Sequence, residues 1–265
     1  MRWGGEMARD VVIACEHLAT GYNGVVLMKD VNFEIFRGEV VFILGSSGCG
    51  KSTLLKHLIG QVPPIGGTVK MLGEETTFAE GAAREKLLRS FGMMYQSGAL
   101  FGNLSVLQNV LLPLEEFTTL PPDLREATAR LKLAQVGLLE RAQAMPAELS
   151  GGQKKRAAIA RAMALDPPIL FLDEPSAGLD PITAATLDAL IRRLADELGM
   201  TVVIISHELS SIEAIADRAI YLDRAAGGVL DVGTPHYLKN ESPHQAIRNF
   251  FNRRAEGAPR PAEKE

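Results

Sequence analysis

Residues 45–52 combine the residue types that a protein needs to hold a chain of phosphates. Three glycines let the backbone bend so that successive N–H groups point at phosphate oxygens, and a helix starting near Lys51 adds its positive dipole end. Lys51 can reach β- and γ-phosphates, and the Ser52 hydroxyl can bind Mg²⁺. The alternative is a chance match to the P-loop pattern in a glycine-rich turn. The predicted nucleotide-binding residues here are Gly45, Ser46, Ser47, Gly48, Cys49, Gly50, Lys51, Ser52 and Thr53.

A second group of polar residues follows two apolar runs farther along the chain. Asp173 and Glu174 come directly after one run, and His207 follows another. Two adjacent carboxylates at the end of a buried strand are costly without a cation, so Asp173 is assigned to Mg²⁺ and Glu174 to polarising the attacking water. His207 could contact the γ-phosphate. The alternatives are a helix N-cap pair for the carboxylates and a structural role for the histidine.

Three short apolar runs must position these residues. Val40–Leu44, Ile169–Leu172 and Val202–Ile205 have the length and continuity of strands buried on both faces, as in a parallel sheet covered by helices. Ligands gather at the carboxyl ends of such strands, so the three polar groups are predicted to share one site. Residues 11–36 predict antiparallel strands joined by a turn at 21–24.

Helices are predicted between the strands. Little strand signal occurs between residues 97 and 167, so a helical subdomain at about 97–166 is inserted into an α/β core. Asp180 is a predicted N-cap and Gly199 a predicted C′ residue. The predicted helices are Lys51–Gly60, Asp123–Val136, Gly151–Leu165, one following Asp180 with a buried stripe of Leu187, Leu190, Ile191, Leu194 and Leu198, and Pro243–Phe251.

Composition restricts the class of protein. The 265 residues are 46% apolar and 23% charged, with a formal net charge of −4, so a disordered or fibrous chain is excluded and a nucleic-acid partner is not expected. The two cysteines, Cys15 and Cys49, predict a reducing compartment. Cys49, at a helix N-terminus, is either an acidified, oxidisable thiol or a small residue that the loop tolerates.

The stretch Ser90–Leu114 carries no charged residue and is long enough to span a bilayer. Its asparagines, glutamines, serines and glycines make it too polar for a membrane helix, which needs ~20 predominantly apolar residues. The first ten residues lack the apolar core of a secretory signal, so a cytosolic chain is expected.

The pentapeptide 149–153, LSGGQ, lies twenty residues upstream of the run ending at Asp173-Glu174. Together with the P-loop, Gln96, Leu179-Asp180 and His207, in that order, it makes residues 11–235 resemble an ABC-family nucleotide-binding domain. The resemblance implies an α/β P-loop NTPase (RecA-like) core with an N-terminal antiparallel β subdomain and an inserted helical subdomain. The domain is placed at 8–240, and residues 241–265 are expected to be a partly disordered C-terminal extension.

The family resemblance also implies an Mg-dependent ATPase that works as a head-to-tail dimer of two copies. Each ATP lies between the P-loop of one chain and the LSGGQ segment of the other, whose helix start is a second anion-binding terminus. Asp180 links the two sites, Gln96 contacts Mg²⁺ and the water, and Tyr22 stacks on adenine. An aromatic packed on the sheet is the alternative for Tyr22. The implied residues of the second terminus are Ser150, Gly151, Gly152 and Gln153.

Residues 95–101, YQSGALF, are similar to the ATPase subunit of Mla/Mce-type lipid transporters, as are 180–183 and 241–244. Gln153 and Leu179 depart from some members of that group. The resemblance implies an ATPase that powers phospholipid transport from the cytoplasmic face of the inner membrane, where it is peripheral. Its implied partners are an integral membrane permease, an Mce-type substrate-binding protein and a small accessory subunit. A generic ABC importer ATPase and a non-transport ABC ATPase are the alternatives.

Two apolar surfaces are candidates for contacts with other subunits. The exposed part of the uncharged stretch, near Gln96–Leu107, is predicted to receive a permease helix, the alternative being plain subdomain core. The last helix places Ile247, Phe250 and Phe251 on one side and is a candidate clasp for the second ATPase subunit.

Overall fold

The computed structural model describes residues 9–46, 48–77 and 80–254. A ten-stranded sheet with the order β5-β4-β1-β2-β10-β9-β3-β8-β7-β6 runs through it. The strands are β1 Val11–Tyr22, β2 Val25–Phe36, β3 Val40–Gly45, β4 Gly66–Met71, β5 Glu74–Glu75, β6 Phe91–Met94, β7 Ile169–Asp173, β8 Thr201–Ile205, β9 Arg218–Asp223 and β10 Gly228–Gly233.

Helices cover both faces of this sheet. They are α1 Lys51–Leu58, α2 Gly81–Ser90, α3 Val106–Phe117, α4 Pro122–Gln135, α5 Gly151–Ala162, α6 Pro181–Leu198, α7 Leu209–Ile215, α8 Pro235–Asn240 and α9 Gln245–Phe251, with two short 3-10 helices at Leu139–Arg141 and Pro146–Glu148.

The three apolar runs form the parallel centre of the sheet, as predicted. β3 pairs with β8 and β9, and β7 pairs with β8 and β6, all in parallel. Side chains alternate between two cores, so that Phe42 and Leu44 face the layer containing α3 to α9 while Ile43 faces the layer containing α1. Every side chain from Val40 to Leu44 is fully buried, which explains why the sequence shows a continuous apolar run instead of an alternating one.

The N-terminal part of the sheet is antiparallel, as predicted. β1 and β2 form a hairpin whose turn residues, Asn23 and Gly24, both have positive φ (51° and 76°), the requirement of a two-residue type I′ turn. This part joins the parallel centre through one pair between β10 and β2, Gly228 with Asp30. A Cβ at Gly228 would lie 2.6 Å from the Asp30 carbonyl oxygen, so the junction requires glycine.

Helix α3 was missed by the sequence analysis because Pro113 interrupts its pattern. The helix begins with a capping box, in which the Ser105 hydroxyl accepts from the Gln108 N–H and the Gln108 amide oxygen accepts from the Ser105 N–H. That Ser-x-x-Gln spacing was the signal available in the sequence. Val106 and Leu107 are buried in the core, so this half of the uncharged stretch is not a docking surface.

Helix α6 follows its prediction at both ends. The Asp180 carboxylate accepts from the N–H groups of Ile182 and Thr183, and Gly199 has the left-handed φ of 63°. The prediction that Leu198 belongs to the buried stripe is wrong, since this side chain is 41% exposed in the last turn. The helix predicted as Lys51–Gly60 ends at Leu58, the one predicted as Gly151–Leu165 ends at Ala162, and the one predicted as Asp123–Val136 runs from Pro122 to Gln135.

The last helix, α9, packs on its own chain. Ile247 and Phe251 are buried in the core that also contains Tyr221, and the Phe250 ring stacks edge-to-face on Tyr221 with centroids 5.6 Å apart. Ile247 and Phe251 therefore pack within the subunit while Phe250 is only half-buried, and a role of this helix as a clasp for the second ATPase subunit stays a prediction. The predicted disorder at the chain end falls partly on 255–265, outside the described residues.

No helix within residues 9–46, 48–77 and 80–254 has both the length and the apolar character to cross a membrane. The uncharged stretch instead divides between strand β6, a loop and helix α3.

One buried amide organises the loop between β6 and α3. The Asn109 side chain is fully buried; its Oδ1 accepts from the Phe101 N–H at 2.8 Å. Its Nδ2 lies within 3.1 Å of the carbonyl oxygens of Phe101, Leu104 and Ser105. A single side chain therefore satisfies both the donor and the acceptors of this turn.

We expect Asn109→Ala to lower the free energy of unfolding by about 1–3 kcal/mol, because it leaves buried backbone groups without partners. Urea denaturation followed by circular dichroism measures this. Asn103→Ala, at an exposed position in the same loop, is the control and should leave the free energy of unfolding unchanged. Equal stability of the two variants would contradict this role of Asn109.

Candidate functional site: a phosphate-binding cleft

The phosphate-binding loop connects β3 to α1 at the carboxyl edge of the parallel centre. Gly45 has a φ of 149°, and a Cβ there would lie 2.5 Å from the Leu222 carbonyl oxygen. Gly50 has a φ of 109° and immediately precedes α1. Both positions require glycine, which explains why the P-loop pattern has glycine there. The Lys51 ammonium lies over the loop and donates to the carbonyl oxygens of Gly45 at 2.8 Å and Ser46 at 3.1 Å.

Two residues of the loop need separate description. Ser47, a predicted nucleotide-binding residue, lies outside the described residues. The side chain of Cys49 is 1% exposed and packs below the loop, with its sulfur 4.0 Å from the Lys51 ammonium. Burial restricts access of oxidants to this thiol, so the structure favours the interpretation of a small residue that the loop tolerates.

Glu174 stands at the carboxyl end of β7 in a left-handed conformation, with φ 47°. Such a backbone costs a non-glycine residue about 1–3 kcal/mol and occurs mainly at functional sites. Its side chain has two partners, since Oε1 lies 2.8 Å from His207 Nδ1 and Oε2 accepts from the Ser206 hydroxyl at 3.3 Å. The carboxylate is therefore held in one orientation from β8, the neighbouring strand.

Asp173 precedes Glu174 and is partly buried. Burial raises the pKa of Asp173, the adjacent Glu174 carboxylate raises it further, and Lys155 and Lys51 oppose this. A carboxylate whose ionised form is disfavoured by burial and by a like charge is stabilised by a cation. The electrostatics thus leave a place for a positive charge beside Asp173.

One cleft of about 910 Å³ unites most of the predicted site. Tyr22, at the end of β1, is 55% exposed, and Gln96, two residues past β6, is exposed. Residues at the carboxyl ends of β1, β3, β6, β7 and β8 therefore meet here, where the sequence predicted one shared site for β3, β7 and β8. The predicted residues that line the cleft are Tyr22, Gly45, Ser46, Gly48, Gly50, Lys51, Ser52, Thr53, Gln96, Asp173, Glu174 and His207.

Five residues that line the cleft were not predicted as site residues: Val25, Leu27, Ile205, Arg224 and Phe250. Arg224 directly follows β9, a buried strand beside β3, so the rule that polar groups follow strand ends would have found it. Phe250 comes from α9, distant in sequence, and no pattern around it indicates the site.

A second group of predicted residues lies outside this cleft. Ser150 begins α5 with a capping box, its hydroxyl accepting from the Gln153 N–H at 3.3 Å. The segment packs against the first turn of α6, where a Cβ at Gly152 would lie 2.5 Å from the Thr183 methyl carbon. Asp180 caps α6, and its hydrogen bonds with Thr183 lower the pKa of its carboxyl. Ser150, Gly151, Gly152, Gln153 and Asp180 do not line the cleft that holds the phosphate-binding loop.

The donor set fits Mg²⁺. The cleft offers the Ser52 hydroxyl, the Asp173 carboxylate and the Gln96 amide, all oxygen ligands of the type this ion prefers. Within the described part of the chain, no cluster of three or more His, Cys, Asp and Glu residues could hold a metal by itself. Few protein ligands are typical of Mg²⁺ that is shared with substrate phosphates.

The cleft thus combines a phosphate-binding loop, a helix N-terminus, one lysine and an oriented glutamate with a histidine partner. These are the parts that phosphoryl transfer to water requires, since that reaction needs charge stabilisation and a positioned nucleophile. The exposed aromatic ring of Tyr22 is suitable for stacking on a base.

Comparisons with known proteins agree with this geometry. The intermembrane phospholipid transport system ATP-binding protein MlaF of Escherichia coli K12 is 38% identical over 231 residues, 87% of this chain and 85% of that protein. The methionine import ATP-binding protein MetN of Rhodospirillum rubrum is 36% identical over 245 residues, 91% of this chain and 69% of that protein.

A solved structure shares the fold. The dimeric post-hydrolysis state of the ATP-binding cassette MJ0796, bound to ADP and Pi, matches with a TM-score of 0.74 and 31% identity, over 84% of this chain and 98% of that one. This match confirms the predicted α/β P-loop NTPase fold. The family profile described as ABC transporter matches residues 28–177. The chain therefore belongs to the ABC transporter family.

Proposed function

We propose that this chain is the ATP-hydrolysing subunit of a transporter that moves phospholipid across or between membranes of the cell envelope. The observation that carries the ATPase activity is the cleft in which Lys51, Asp173, Glu174 and His207 meet. The lipid substrate is supported by the likeness to MlaF, whose name describes intermembrane phospholipid transport, and by residues 95–101.

ATP binds with its phosphates on the backbone N–H groups after β3 and its base on Tyr22. Lys51 leaves the carbonyl oxygens of the loop and contacts the β- and γ-phosphates. Ser52, Gln96 and Asp173 hold Mg²⁺, which when bound neutralises charge on the β- and γ-phosphate oxygens. Each of these side chains helps to hold or to neutralise the negative charge of the phosphates, because positioning and electrostatics account for most of the catalysis of phosphoryl transfer.

Glu174 accepts a proton from the attacking water, and His207 keeps that carboxylate in place and contacts the γ-phosphate. The Glu174 Oε1 to His207 Nδ1 distance of 2.8 Å and the Ser206 hydroxyl hold the carboxylate before the reaction begins. A base that is already oriented loses little entropy when the water binds. Gln96 orients the same water from β6.

The active unit is a dimer of two copies. Ser150 to Gln153 form the N-terminus of α5, whose positive dipole end favours an anion, yet they lie outside their own cleft. A second copy arranged head to tail places this terminus on the γ-phosphate bound by its partner, with Asp180 connecting the two sites. Support comes from MJ0796, whose post-hydrolysis structure is dimeric.

We expect Glu174→Gln to bind ATP and to dimerise, while its hydrolysis rate falls by about 10²–10⁴-fold, the usual contribution of a general base. Phosphate release measures the rate, and fluorescent ATP titration measures binding. Glu197→Gln, an exposed carboxylate on α6, is the matched control and should hydrolyse ATP at the rate of the unaltered chain. Near-normal hydrolysis by Glu174→Gln would show that Glu174 is not the base.

A permease docks beside the Gln96 loop. Phe101 is 55% exposed and Tyr95 is 43% exposed, both on the loop that begins at the cleft and is held from within by Asn109. Exposed aromatic side chains on a rigid loop are typical anchors for a partner helix. Because Gln96 lies between them, movement at this surface reaches the site of hydrolysis directly.

Phe101→Asp is expected to abolish co-purification with the permease and to leave ATP affinity unchanged, because a charge then faces an apolar partner surface. Affinity purification from detergent-solubilised membranes measures the first, and ATP titration the second. Leu131→Asp, also 55% exposed but on α4, is the control and should retain the permease. Retention of the permease by Phe101→Asp would exclude this docking surface.

The assembly is peripheral on the cytoplasmic face of the inner membrane, with an Mce-type substrate-binding protein and a small accessory subunit as further partners. MetN, a methionine import protein, supports the alternative of a generic importer ATPase. The two are separated by purifying the native complex and identifying its bound substrate by mass spectrometry. Bound phospholipid supports the proposal, and bound amino acid supports the alternative.

A further inference from the structure

Lys155, on the helix that begins with Ser150, is a buried lysine, 7% exposed. Its ammonium donates to the carbonyl oxygen of Gln96 at 2.5 Å and to that of Glu174 at 3.2 Å. Burial lowers the pKa of Lys155, and the Glu174 and Asp173 carboxylates oppose that change. Burying the Lys155 ammonium costs free energy of desolvation, so its role is to be sought in the groups that it contacts.

Among the described residues, no sheet hydrogen bond joins the segment after β6 to the segment after β7, in which the two carbonyl groups lie. β6 and β7 pair in parallel as far as Met94 with Leu172. Gln96 and Glu174 each lie two residues beyond that last pair. Lys155 bridges these two segments of the chain beyond the last pair between β6 and β7. It therefore links the Gln96 loop directly to the residue proposed as the base.

Both loops have backbone conformations that need support. Glu174 has a φ of 47° and Ala99, in the Gln96 loop, has a φ of 46°. A second cation of the same helix, Arg161, donates to the carbonyl oxygens of Gly98 at 2.9 Å and Ala99 at 2.7 Å. Helix α5 thus holds three carbonyl groups of the Gln96 loop and the carbonyl group of Glu174 through charge-assisted hydrogen bonds, which are stronger than neutral ones.

We propose that Lys155 is a positioning residue for ATP hydrolysis, which holds Gln96 and Glu174 at a set separation and connects both to the helix of Ser150. The proposal rests on the ATPase function proposed above. Lys155 itself does not line the cleft, so it acts through its two carbonyl partners and not on the nucleotide. Gln96 and Glu174 position and activate the water, so a change in their separation affects the chemical step more than ATP binding.

The test is Lys155→Met in the full-length chain, with ATP hydrolysis measured over a range of ATP concentrations. Methionine fills a similar volume but cannot donate. Loss of two charge-assisted bonds is expected to lower kcat by about 10- to 100-fold, with KM for ATP and its binding affinity within about twofold of the unaltered chain. A kcat within about twofold of the unaltered chain would overturn the proposal.

Lys132→Met is the matched control. Lys132 is also a buried lysine of the inserted helices, 2% exposed, but its ion pair is with Asp166, and neither of these two residues lines the cleft. It should keep kcat while its melting temperature changes. Two results would assign Lys155 a structural role and overturn the proposal. One is that Lys132→Met loses kcat as Lys155→Met does. The other is that Lys155→Met loses kcat while its melting temperature falls as much as that of Lys132→Met.

Failure of the proposed function would look different. If the unaltered chain does not hydrolyse ATP, or if Glu174→Gln hydrolyses it normally, the ATPase assignment itself is wrong. If Glu174→Gln is inactive and Lys155→Met is fully active, only the positioning role is excluded.

Discussion

The site depends on the parallel hydrogen-bond ladder that joins β9, β3, β8, β7 and β6 in register. Because parallel strands end at one edge, the ladder places the phosphate-binding loop, the Asp173-Glu174 pair and His207 together although they are far apart in sequence. The side chains of these strands are buried on both faces, so the edge cannot shift without opening two cores. A rigid edge is what lets the separate loops form one charged site.

At the carboxyl edge of the ladder, where the Glu174 N–H still donates to the Ile205 carbonyl oxygen at 2.8 Å, side chains add to the backbone pairing. His207 and Ser206 hold the Glu174 carboxylate from β8, and Lys155 holds its carbonyl from α5. The left-handed backbone of Glu174 persists because groups from two neighbouring elements determine its position. Strain of this kind, supported by the surroundings, is typical of residues that carry chemistry.

The proposed active unit is a pair of subunits. The predicted second anion-binding terminus, at Ser150, begins with a capping box and packs closely against Thr183 in the first turn of α6, and its residues do not line the cleft that holds the phosphate-binding loop. Family membership and a dimeric structural relative explain this arrangement through pairing of two copies. The Gln96 loop, with Phe101 exposed, then offers the proposed route by which a partner could sense the state of the cleft.

Much of the fold and most of the cleft could be predicted from the sequence, because continuous apolar runs, caps and glycines act locally. Val40–Leu44 had the length and continuity typical of a strand buried on both faces, and Asp180 and Gly199 marked the ends of α6. Helix α3 was missed because Pro113 breaks the pattern, whereas the capping box that starts it depends on two residues only, Ser105 and Gln108.

Tertiary structure alone decided the rest. Whether Leu198 or Leu107 is buried depends on what packs against each helix. The positions of Phe250 at the cleft and of Lys155 between two carbonyls depend on elements that are remote in sequence. A sequence pattern reports the conformation of a segment and which of its faces is apolar. Which distant segment meets that face is decided by the packing of the whole chain.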